Sequence, residues 1–245
     1  MFSIYKEACA VTSRFDPGHA GEQDLSKPGQ ALPGVLIVTA VEAEAEAVRR
    51  GLGGADGFTV IAAGAGPAAA AAGTAAALAA GSYGCVVSAG IGGGFPGRAA
   101  LGSLVVASEL VHADLGAETP EGFRSAAELG FGRTLYPADP GRAARLAAGL
   151  AAAGLDVSTG PVLTVSAATG SAETAAALAA RVPGAAAEAM EGCGVAAAAL
   201  ALNLPVLEIR AISNPVGPRD RDAWQIGEAL EALAAAGPIL SEVLK

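Results

Sequence analysis

Acidic side chains stand at two places where an apolar run gives way to a helical pattern. Glu42, Glu44 and Glu46 follow the apolar run of residues 35–41, and Glu191 begins an almost uncharged, alanine-rich stretch. A carboxylate at the end of a strand can activate water as a general base, and an ionised carboxylate can accept hydrogen bonds from sugar hydroxyls. The positive end of a helix dipole also favours acidic residues, but that effect does not require three of them. We therefore expect one of the three clustered glutamates to act as a base and Glu191 to hold sugar hydroxyls.

Two glycine-rich segments lie between apolar runs. Residues 64–69 satisfy the GxGxxA pattern of dinucleotide-binding proteins, but that fingerprint needs an acidic residue about twenty positions later. Residues 85–90 contain no carboxylate, which argues against NAD binding. Four glycines within residues 90–94 predict a loop after the third strand, where the backbone can approach a ligand closely.

Asn214 follows the apolar strand pattern of residues 206–212. Asparagine before proline is common in turns. Its place at the carboxyl end of a strand nevertheless makes it a candidate ligand contact, because open α/β sheets bind ligands at that edge. Residues 219–222 alternate in charge and are typical of a solvated loop, in which Asp222 is a candidate N-cap for a helix that holds Trp224. An arginine of this loop could instead meet a ligand carboxylate.

Apolar runs and alanine-rich helical patterns alternate from Val35 to the C-terminus. This alternation predicts a single α/β domain over residues 35–245. The strands are continuous apolar runs, so we expect a central mostly parallel or mixed sheet flanked by helices on both faces. Residues 1–34 lack a periodic apolar pattern and are assigned to a flexible N-terminal leader. The predicted strands cover residues 35–41, 58–62, 85–89, 104–109, 162–165 and 206–212, and the predicted helices cover residues 42–52, 67–80, 142–153, 172–181 and 192–202, with a last helix from about 223.

Composition and charge exclude several classes of protein. With 52% hydrophobic and 16% charged residues, the 245-residue chain can bury a large core, which argues against disorder. Its 15 basic and 24 acidic residues give a net charge of −9, which disfavours nucleic acid and anionic membrane surfaces as partners. The uncharged run of residues 58–97 is interrupted by glycine and proline, so we do not interpret it as a membrane span.

Cysteine usage and the first residues indicate the cellular compartment. Cys9, Cys85 and Cys193 are widely separated, and only two histidines are available to complete a metal set. We therefore predict neither a disulfide framework nor a metal site. The first 34 residues have no apolar signal region, so we expect a cytoplasmic protein.

Five segments in combination resemble one family. From Val35 onwards the chain resembles the nucleoside phosphorylase and nucleosidase superfamily, which includes methylthioadenosine/S-adenosylhomocysteine nucleosidase and futalosine hydrolase, and residues 209–224 look most like the latter. The resemblance implies a nucleoside phosphorylase-like fold, a homo-oligomer, a purine nucleoside substrate and no cofactor. It also implies release of hypoxanthine from futalosine, in an alternative pathway of menaquinone biosynthesis. The segments are the acidic cluster at 42–46, Gly-Ala-Gly-Pro at 64–67, Ala-Gly-Ile-Gly-Gly-Gly at 89–94, Ala-Met-Glu-Gly at 189–192 and Arg-Ala-Ile-Ser-Asn at 210–214.

The resemblance also implies roles for single residues. Glu44 matches the glutamate that activates water, and Met190 and Glu191 match the pair that binds ribose. Asn214 stands where the adenine-releasing nucleosidases carry an aspartate, which can protonate N7 of the leaving base. Because an asparagine amide has two N–H donors, it can address N7 and O6 of a 6-oxopurine together, and hypoxanthine fits better than adenine. Further base contacts are implied for Gly92, Gly93 and Thr169.

Hydrolysis is favoured over phosphorolysis because a phosphate nucleophile needs cations. Neither residues 36–48 nor residues 58–97 contain Lys or Arg, so water is the expected nucleophile. Futalosine carries an aromatic carboxylate, and Arg219 or Arg221 is the expected contact for it at the distal end of the pocket. The alternatives are another purine nucleosidase, a 6-oxopurine nucleoside phosphorylase, and a non-catalytic nucleotide-binding module.

Overall fold

The computed structural model describes residues 34–245. The leader predicted for residues 1–34 therefore lies outside the described residues, apart from Gly34. The strands are β1 (Gly34–Thr39), β2 (Phe58–Ala62), β3 (Tyr83–Gly94), β4 (Leu104–His112), β5 (Gly116–Thr119), β6 (Gly122–Ser125), β7 (Leu135–Pro137), β8 (Val157–Thr164), β9 (Ala187–Ala189) and β10 (Val206–Pro215). The α-helices are α1 (Glu42–Leu52), α2 (Pro67–Ala80), α3 (Pro140–Ala152), α4 (Ala172–Arg181), α5 (Gly192–Ala201), α6 (Ile226–Ala235) and α7 (Gly237–Val243).

Strand β3 is the centre of an eight-stranded mixed sheet. On one side it pairs in parallel with β1, which in turn pairs with β2, and its last two residues pair with the antiparallel β9. On the other side it pairs in parallel with β10. Strand β10 continues through β4 and β8 back to β9, so five strands close into a ring. The prediction of a parallel or mixed sheet is confirmed.

Helices cover both faces of the sheet, as the continuous apolar strands predicted. In β1, Val35 and Ile37 pack in a core with residues of α1, α3, α6 and α7. The alternate residues Leu36 and Val38 pack in a second core with residues of α2 and α5. Because successive strand residues point to opposite faces, a strand enclosed in this way must be apolar throughout.

The glycine-rich segment after residue 89 is part of a strand and not the loop that was predicted. Strand β3 continues to Gly94, where Gly93 pairs with Asn214 of β10 and with Glu188 of β9. Glycine is depleted in strands, which is why the sequence pattern predicted a strand end at Ala89. Here the backbone is held by partners on both sides, and the absence of side chains lets neighbouring groups approach closely. Strand β10 is also longer than predicted and includes Asn214 within it.

The segment after β10 differs from the prediction. Arg221–Ala223 form a single 3-10 turn, and α6 begins only at Ile226 with Gln225 as its N-cap residue. Trp224 is therefore not helical, and Asp222 does not cap the helix. The predicted helix start was wrong because charged residues at a turn and at a helix N-terminus follow similar patterns.

The remaining differences concern short or partly exposed elements. Strands β5, β6, β7 and β9 have three or four residues each, too few to show a periodic pattern. The uncharged run of residues 58–97 does form strand, helix and strand, as predicted. No helix within residues 34–245 is long and apolar enough to span a membrane.

Candidate active site

A pocket of about 160 Å³ lies at the carboxyl ends of β1, β3 and β10 and receives residues from β9. Its lining brings together side chains that are far apart in the sequence, among them every predicted base, ribose and catalytic contact. Three carboxylates face it, and none of the described residues that line it is Lys or Arg. The lining residues are Ala40, Glu44, Ile91, Gly92, Gly93, Ala168, Thr169, Glu188, Ala189, Met190, Glu191, Ser213, Asn214 and Trp224.

The structure separates Glu44 from its two acidic neighbours. Glu42 and Glu46 are exposed, and Glu42 forms an ion pair with Arg49. Glu44 is buried in the third position of α1 and reaches back to accept the N–H of Val41, the residue that precedes the helix, at 3.1 Å. Its carboxylate therefore caps the helix as well as facing the pocket.

Backbone donors take up most of the acceptor capacity of Glu44. Its Oε2 accepts the N–H groups of Ala40 at 2.9 Å and Val41 at 3.1 Å, and its Oε1 accepts the N–H of Ile91 at 2.9 Å. A carboxylate has about four acceptor sites. One site on Oε1 is therefore left for a ligand or water in the pocket.

Glu191 is held by groups from two other elements. Its Oε1 accepts the N–H of Gly66 at 3.1 Å, and its Oε2 accepts the N–H of Met190 at 3.3 Å and Nη1 of Arg210 at 3.1 Å. The side chain forms no capping hydrogen bond with its own helix α5, so capping does not account for it. As with Glu44, one acceptor site remains for a ligand hydroxyl.

The dinucleotide-like pattern has an internal role. Gly66 adopts a φ of 91°, a conformation that favours glycine, and its N–H is directed at Glu191 rather than at open solvent. The segment therefore orients a carboxylate of the chain itself. Within residues 34–245 no cluster of three or more His, Cys, Asp or Glu side chains could hold a metal ion.

Arg210 lies behind the pocket and is completely buried. Besides Glu191, it donates to Oε1 of Glu208 at 2.8 Å and to Oγ of Ser88 at 2.8 Å. This network could not be recognised from the sequence, because Glu208 and Arg210 alternate within an apolar strand like residues of an exposed face. Both in fact point into the protein, and a buried charge needs such partners.

Glu208 is the most unusual carboxyl group of the network. Its Oε2 has no hydrogen-bond partner, and Gly192 leaves the space beside it free, since a Cβ there would lie 2.3 Å from Oε2. Burial raises the pKa of Glu208 to about 7, although Arg210 acts in the opposite direction. The group therefore keeps its proton to a much higher pH than an exposed glutamate does.

The amide of Asn214 is oriented by its neighbour Ser213. The Ser213 hydroxyl donates to Oδ1 of Asn214 at 2.9 Å, so the amide oxygen is engaged and Nδ2 is the group that donates. Nδ2 reaches the carbonyl of Pro215 at 3.0 Å, which leaves its second N–H free for another acceptor. The register of β10 shifts between Ile212 and Asn214, and such a bulge redirects side chains.

Glu188 and Trp224 are among the pocket residues that were not predicted. Glu188 accepts the N–H of Thr169 at 2.8 Å and also the Thr169 hydroxyl. Burial raises the pKa of Glu188, although its hydrogen bonds from Thr169 act in the opposite direction. The polar residue between two alanines was the available signal, since a lone carboxylate in an apolar stretch is seldom buried without a role.

Trp224 connects the pocket to two arginines of the segment that precedes it. Arg219 and Arg221 do not line the pocket, but their guanidinium carbons lie 5.1 Å and 5.9 Å from the centre of the Trp224 ring. The N–H of Arg219 donates to the carbonyl of Gly170 at 3.2 Å. This hydrogen bond joins the loop that contains Gly170 to the loop that contains Arg219, at the rim of the pocket.

Comparisons with known proteins agree with this architecture. The family model of the phosphorylase superfamily matches residues 37–245. The chain is 51% identical over 233 residues to the futalosine hydrolase of Streptomyces coelicolor, covering 86% of this chain and 96% of that one. The methylthioadenosine/S-adenosylhomocysteine nucleosidase of Neisseria meningitidis has a similar fold, with a TM-score of 0.72 and 20% identity over 87% of this chain and 99% of that one. A futalosine hydrolase mutant of Helicobacter pylori gives a TM-score of 0.74 with 17% identity over 86% and 99% of the two chains.

Replacing Glu208 by Gln should change how stability depends on pH. Because the folded-state pKa of about 7 lies above the ordinary value of 4.5, protonation of Glu208 stabilises the folded chain fully below pH 4.5, and this contribution is lost as the pH rises through about 7. Each pKa unit corresponds to about 1.4 kcal/mol, so the loss amounts to roughly 3 kcal/mol. The free energy of unfolding of Glu208→Gln, relative to the original protein, should therefore rise between pH 5 and pH 8.

Denaturant unfolding at several pH values measures this difference. Glu228→Gln, which removes an exposed carboxylate of α6, is the control and should not reproduce the effect. A Glu208→Gln difference that stays constant between pH 5 and pH 8 would contradict the assignment of a raised pKa.

Proposed function

The chain belongs to the phosphorylase superfamily, and we propose that it is a futalosine hydrolase. It cleaves the N-glycosidic bond of futalosine with water and releases hypoxanthine and dehypoxanthine futalosine, as a step of menaquinone biosynthesis. The Streptomyces coelicolor futalosine hydrolase, which is similar over nearly its whole length, supports this proposal. The observation that carries it is a pocket lined by three carboxylates and, among its described residues, by no Lys or Arg. Such a pocket repels phosphate and favours water as the nucleophile.

Glu44 is the general base of the proposed reaction. The free acceptor site on its Oε1 binds the water molecule, while three backbone N–H groups hold the carboxylate in place. The C1′–N9 bond of the substrate breaks and its electron pair stays with the purine. The water oxygen forms a bond to C1′, and its proton passes to Glu44, which releases it to solvent. The purine anion takes up a proton from solvent and leaves as hypoxanthine. General base catalysis of this type contributes roughly 10²- to 10⁴-fold to the rate.

Glu191 and Met190 bind the ribose. The remaining acceptor site of Glu191 receives a sugar hydroxyl, and Arg210 and Gly66 hold the carboxylate in position. Positive charge develops on the sugar as the glycosidic bond breaks. The carboxylates of Glu44 and Glu191 stabilise that charge, because both are buried and are only weakly screened by solvent.

Asn214 stabilises the leaving purine. Because Ser213 engages its amide oxygen and the Pro215 carbonyl takes one N–H of Nδ2, the second N–H of Nδ2 donates to the N7 and O6 edge of the base, where negative charge develops. Gly92, Gly93 and Thr169 complete the base site, and the glycines allow the flat ring to lie close to the backbone.

The decisive experiment measures hypoxanthine release from futalosine with and without phosphate. The original protein should release hypoxanthine equally well in both conditions. Glu44→Gln should lower kcat by at least about 100-fold, because the amide cannot take the proton of water. Glu42→Gln, an exposed glutamate of the same helix, is the matched control and should keep its activity. Strict dependence on phosphate would instead assign the chain to the phosphorylases.

We also propose that Arg219 and Arg221 bind the aromatic carboxylate of futalosine, with Trp224 as the surface against which the aromatic group packs. The proximity of both guanidinium groups to the Trp224 ring supports this role. Replacing both arginines by Ala should raise the KM for futalosine about tenfold, the effect of losing one charge-assisted hydrogen bond. The KM for inosine, which lacks the carboxylate, should stay constant. An equal effect on both substrates would contradict the assignment.

We further propose that the chain acts as a cytoplasmic homo-oligomer. Leu101, Leu115, Phe131 and Leu135 are large apolar side chains that are exposed on the described chain, and contact between copies of the chain could bury them. The free, buried thiols of Cys85 and Cys193 suit a reducing compartment. Light scattering from the purified protein should give at least twice the mass of one chain, and a monomer at micromolar concentration would refute the oligomer.

A further inference from the structure

Glu208 is a buried carboxyl group that the proposed reaction does not touch. It lies within β10, is completely buried and does not line the pocket. Its Oε1 accepts Nε of Arg210 at 2.8 Å, and its Oε2 has no hydrogen-bond partner among the described residues. Folding alone does not explain this side chain, because burial of an incompletely paired carboxyl group is unfavourable and an apolar residue would avoid it.

Gly192 leaves the space that this carboxyl group occupies. It is the first residue of α5 and has no positive φ, so its backbone conformation is open to residues other than glycine. A Cβ there would lie 2.3 Å from Oε2 and 2.5 Å from Oε1 of Glu208. The carboxyl group of Glu208, and not the backbone, therefore requires glycine at position 192.

Arg210 connects Glu208 to the pocket. Its Nε donates to Glu208, and its Nη1 donates to Glu191, which faces the pocket, at 3.1 Å. Glu44 is also near, since a Cβ on Gly90 would lie 2.6 Å from Oε1 of Glu44 and 2.8 Å from Nη1 of Arg210. One guanidinium group is therefore shared between a carboxyl group behind the pocket and two carboxylates that line it.

Glu208 titrates near neutral pH within this network. Burial raises its pKa to about 7, although Arg210 acts in the opposite direction, and the charge of Glu191 adds to the increase. Burial lowers the pKa of Arg210, but the neighbouring carboxylates outweigh this effect and raise it. Burial also raises the pKa of the Cys193 thiol in α5 to about 12, so this group stays neutral. Strand β3 faces Glu208 with Ser88, which does not titrate, and the adjoining face of β4 is apolar.

The charge of Glu208 changes the electric field in the pocket. Positive charge develops on the sugar as the glycosidic bond breaks. When Glu208 is neutral, the charge of Arg210 offsets part of the negative charge of Glu44 and Glu191. When Glu208 is ionised, it offsets Arg210 from behind, so the pocket attracts positive charge more strongly. One unit charge at roughly 10 Å, with an effective dielectric constant of about 20, changes the rate about tenfold.

We propose that Glu208 is a positioning residue that sets the charge of the active site through Arg210, so that its ionised form stabilises positive charge on the sugar better than its protonated form. This inference rests on the proposed function, since it concerns the transition state of that reaction. Glu208 touches neither substrate nor water in this account. It acts by holding Nε of Arg210 and by balancing the charge of the guanidinium group.

The test is the pH dependence of kcat for hypoxanthine release from futalosine. Glu208→Gln has the shape of the protonated carboxyl group and cannot ionise. The kcat of the original protein divided by that of Glu208→Gln should be close to one at pH 5 and should rise to about ten at pH 8, because the folded-state pKa of Glu208 is about 7. The KM should be similar in both proteins, since the charge on the sugar develops only after binding.

A merely structural role of Glu208 predicts a different result. Loss of packing or of one hydrogen bond would lower kcat by the same factor at every pH, so a ratio that stays constant between pH 5 and pH 8 would overturn the proposal. Glu228→Gln, which removes an exposed carboxylate of α6, is the matched control. Its kcat should follow that of the original protein over the whole range.

Binding of a cationic sugar analogue separates this inference from the proposed function. The probe is a hydroxypyrrolidine that carries hypoxanthine through a methylene group, because its ring ammonium is positively charged and it cannot be hydrolysed. Calorimetry should show about tenfold tighter binding to the original protein than to Glu208→Gln at pH 8, and equal binding at pH 5. Equal binding to both proteins at both pH values would refute the inference. The expected binding without hydrolysis of futalosine would support the inference and refute only the proposed substrate.

Discussion

The buried guanidinium of Arg210 is the interaction on which the rest of the site depends. A charge without solvent must be surrounded by partners, and these come from β3, β10 and the start of α5 as Ser88, Glu208 and Glu191. Gly90 lets Glu44 approach the same group, since a Cβ there would lie 2.6 Å from Oε1 of Glu44 and 2.8 Å from Nη1 of Arg210. The positive charge of Arg210 behind the pocket therefore offsets the repulsion between the carboxylates of Glu44 and Glu191, which face the pocket.

The carboxylates of the pocket are positioned mainly by the backbone. Glu44 takes its donors from three peptide groups, and Glu191 takes two of its three from peptide groups. Peptide N–H groups at strand ends and helix starts cannot change rotamer, so the carboxylates stay oriented without a ligand. Preorganised charge of this kind avoids reorganisation during the reaction. The same hydrogen bonds consequently stabilise the fold and orient the carboxylates of the pocket.

Much of the fold and of the pocket could be predicted from the sequence. The predictions that were wrong or missing have physical causes. The alternation of apolar runs and helices predicted the layers of the fold. Polar residues after apolar runs indicated the acidic cluster at 42–46, Glu191 and Asn214, and the family resemblance singled out Glu44 from the cluster. The continuation of β3 through Gly94 could not be predicted, because its strand state depends on pairing with β9 and β10 rather than on local preference. Glu188 was not predicted as a pocket residue for the same reason, since a three-residue strand is too short to show a periodic apolar pattern.

Strand β10 is the last strand of the chain but lies between β3 and β4 in the ring. During synthesis on a ribosome, residues 34–205 emerge before this strand exists. The edges of β3 and β4 that later pair with β10 are therefore unpaired at that stage. Exposed edges of this kind attract other chains, and distant pairings form slowly. Until residues 206–215 are added, the chain therefore has strand edges that can pair with other chains, and without Arg210 and Asn214 the pocket cannot form.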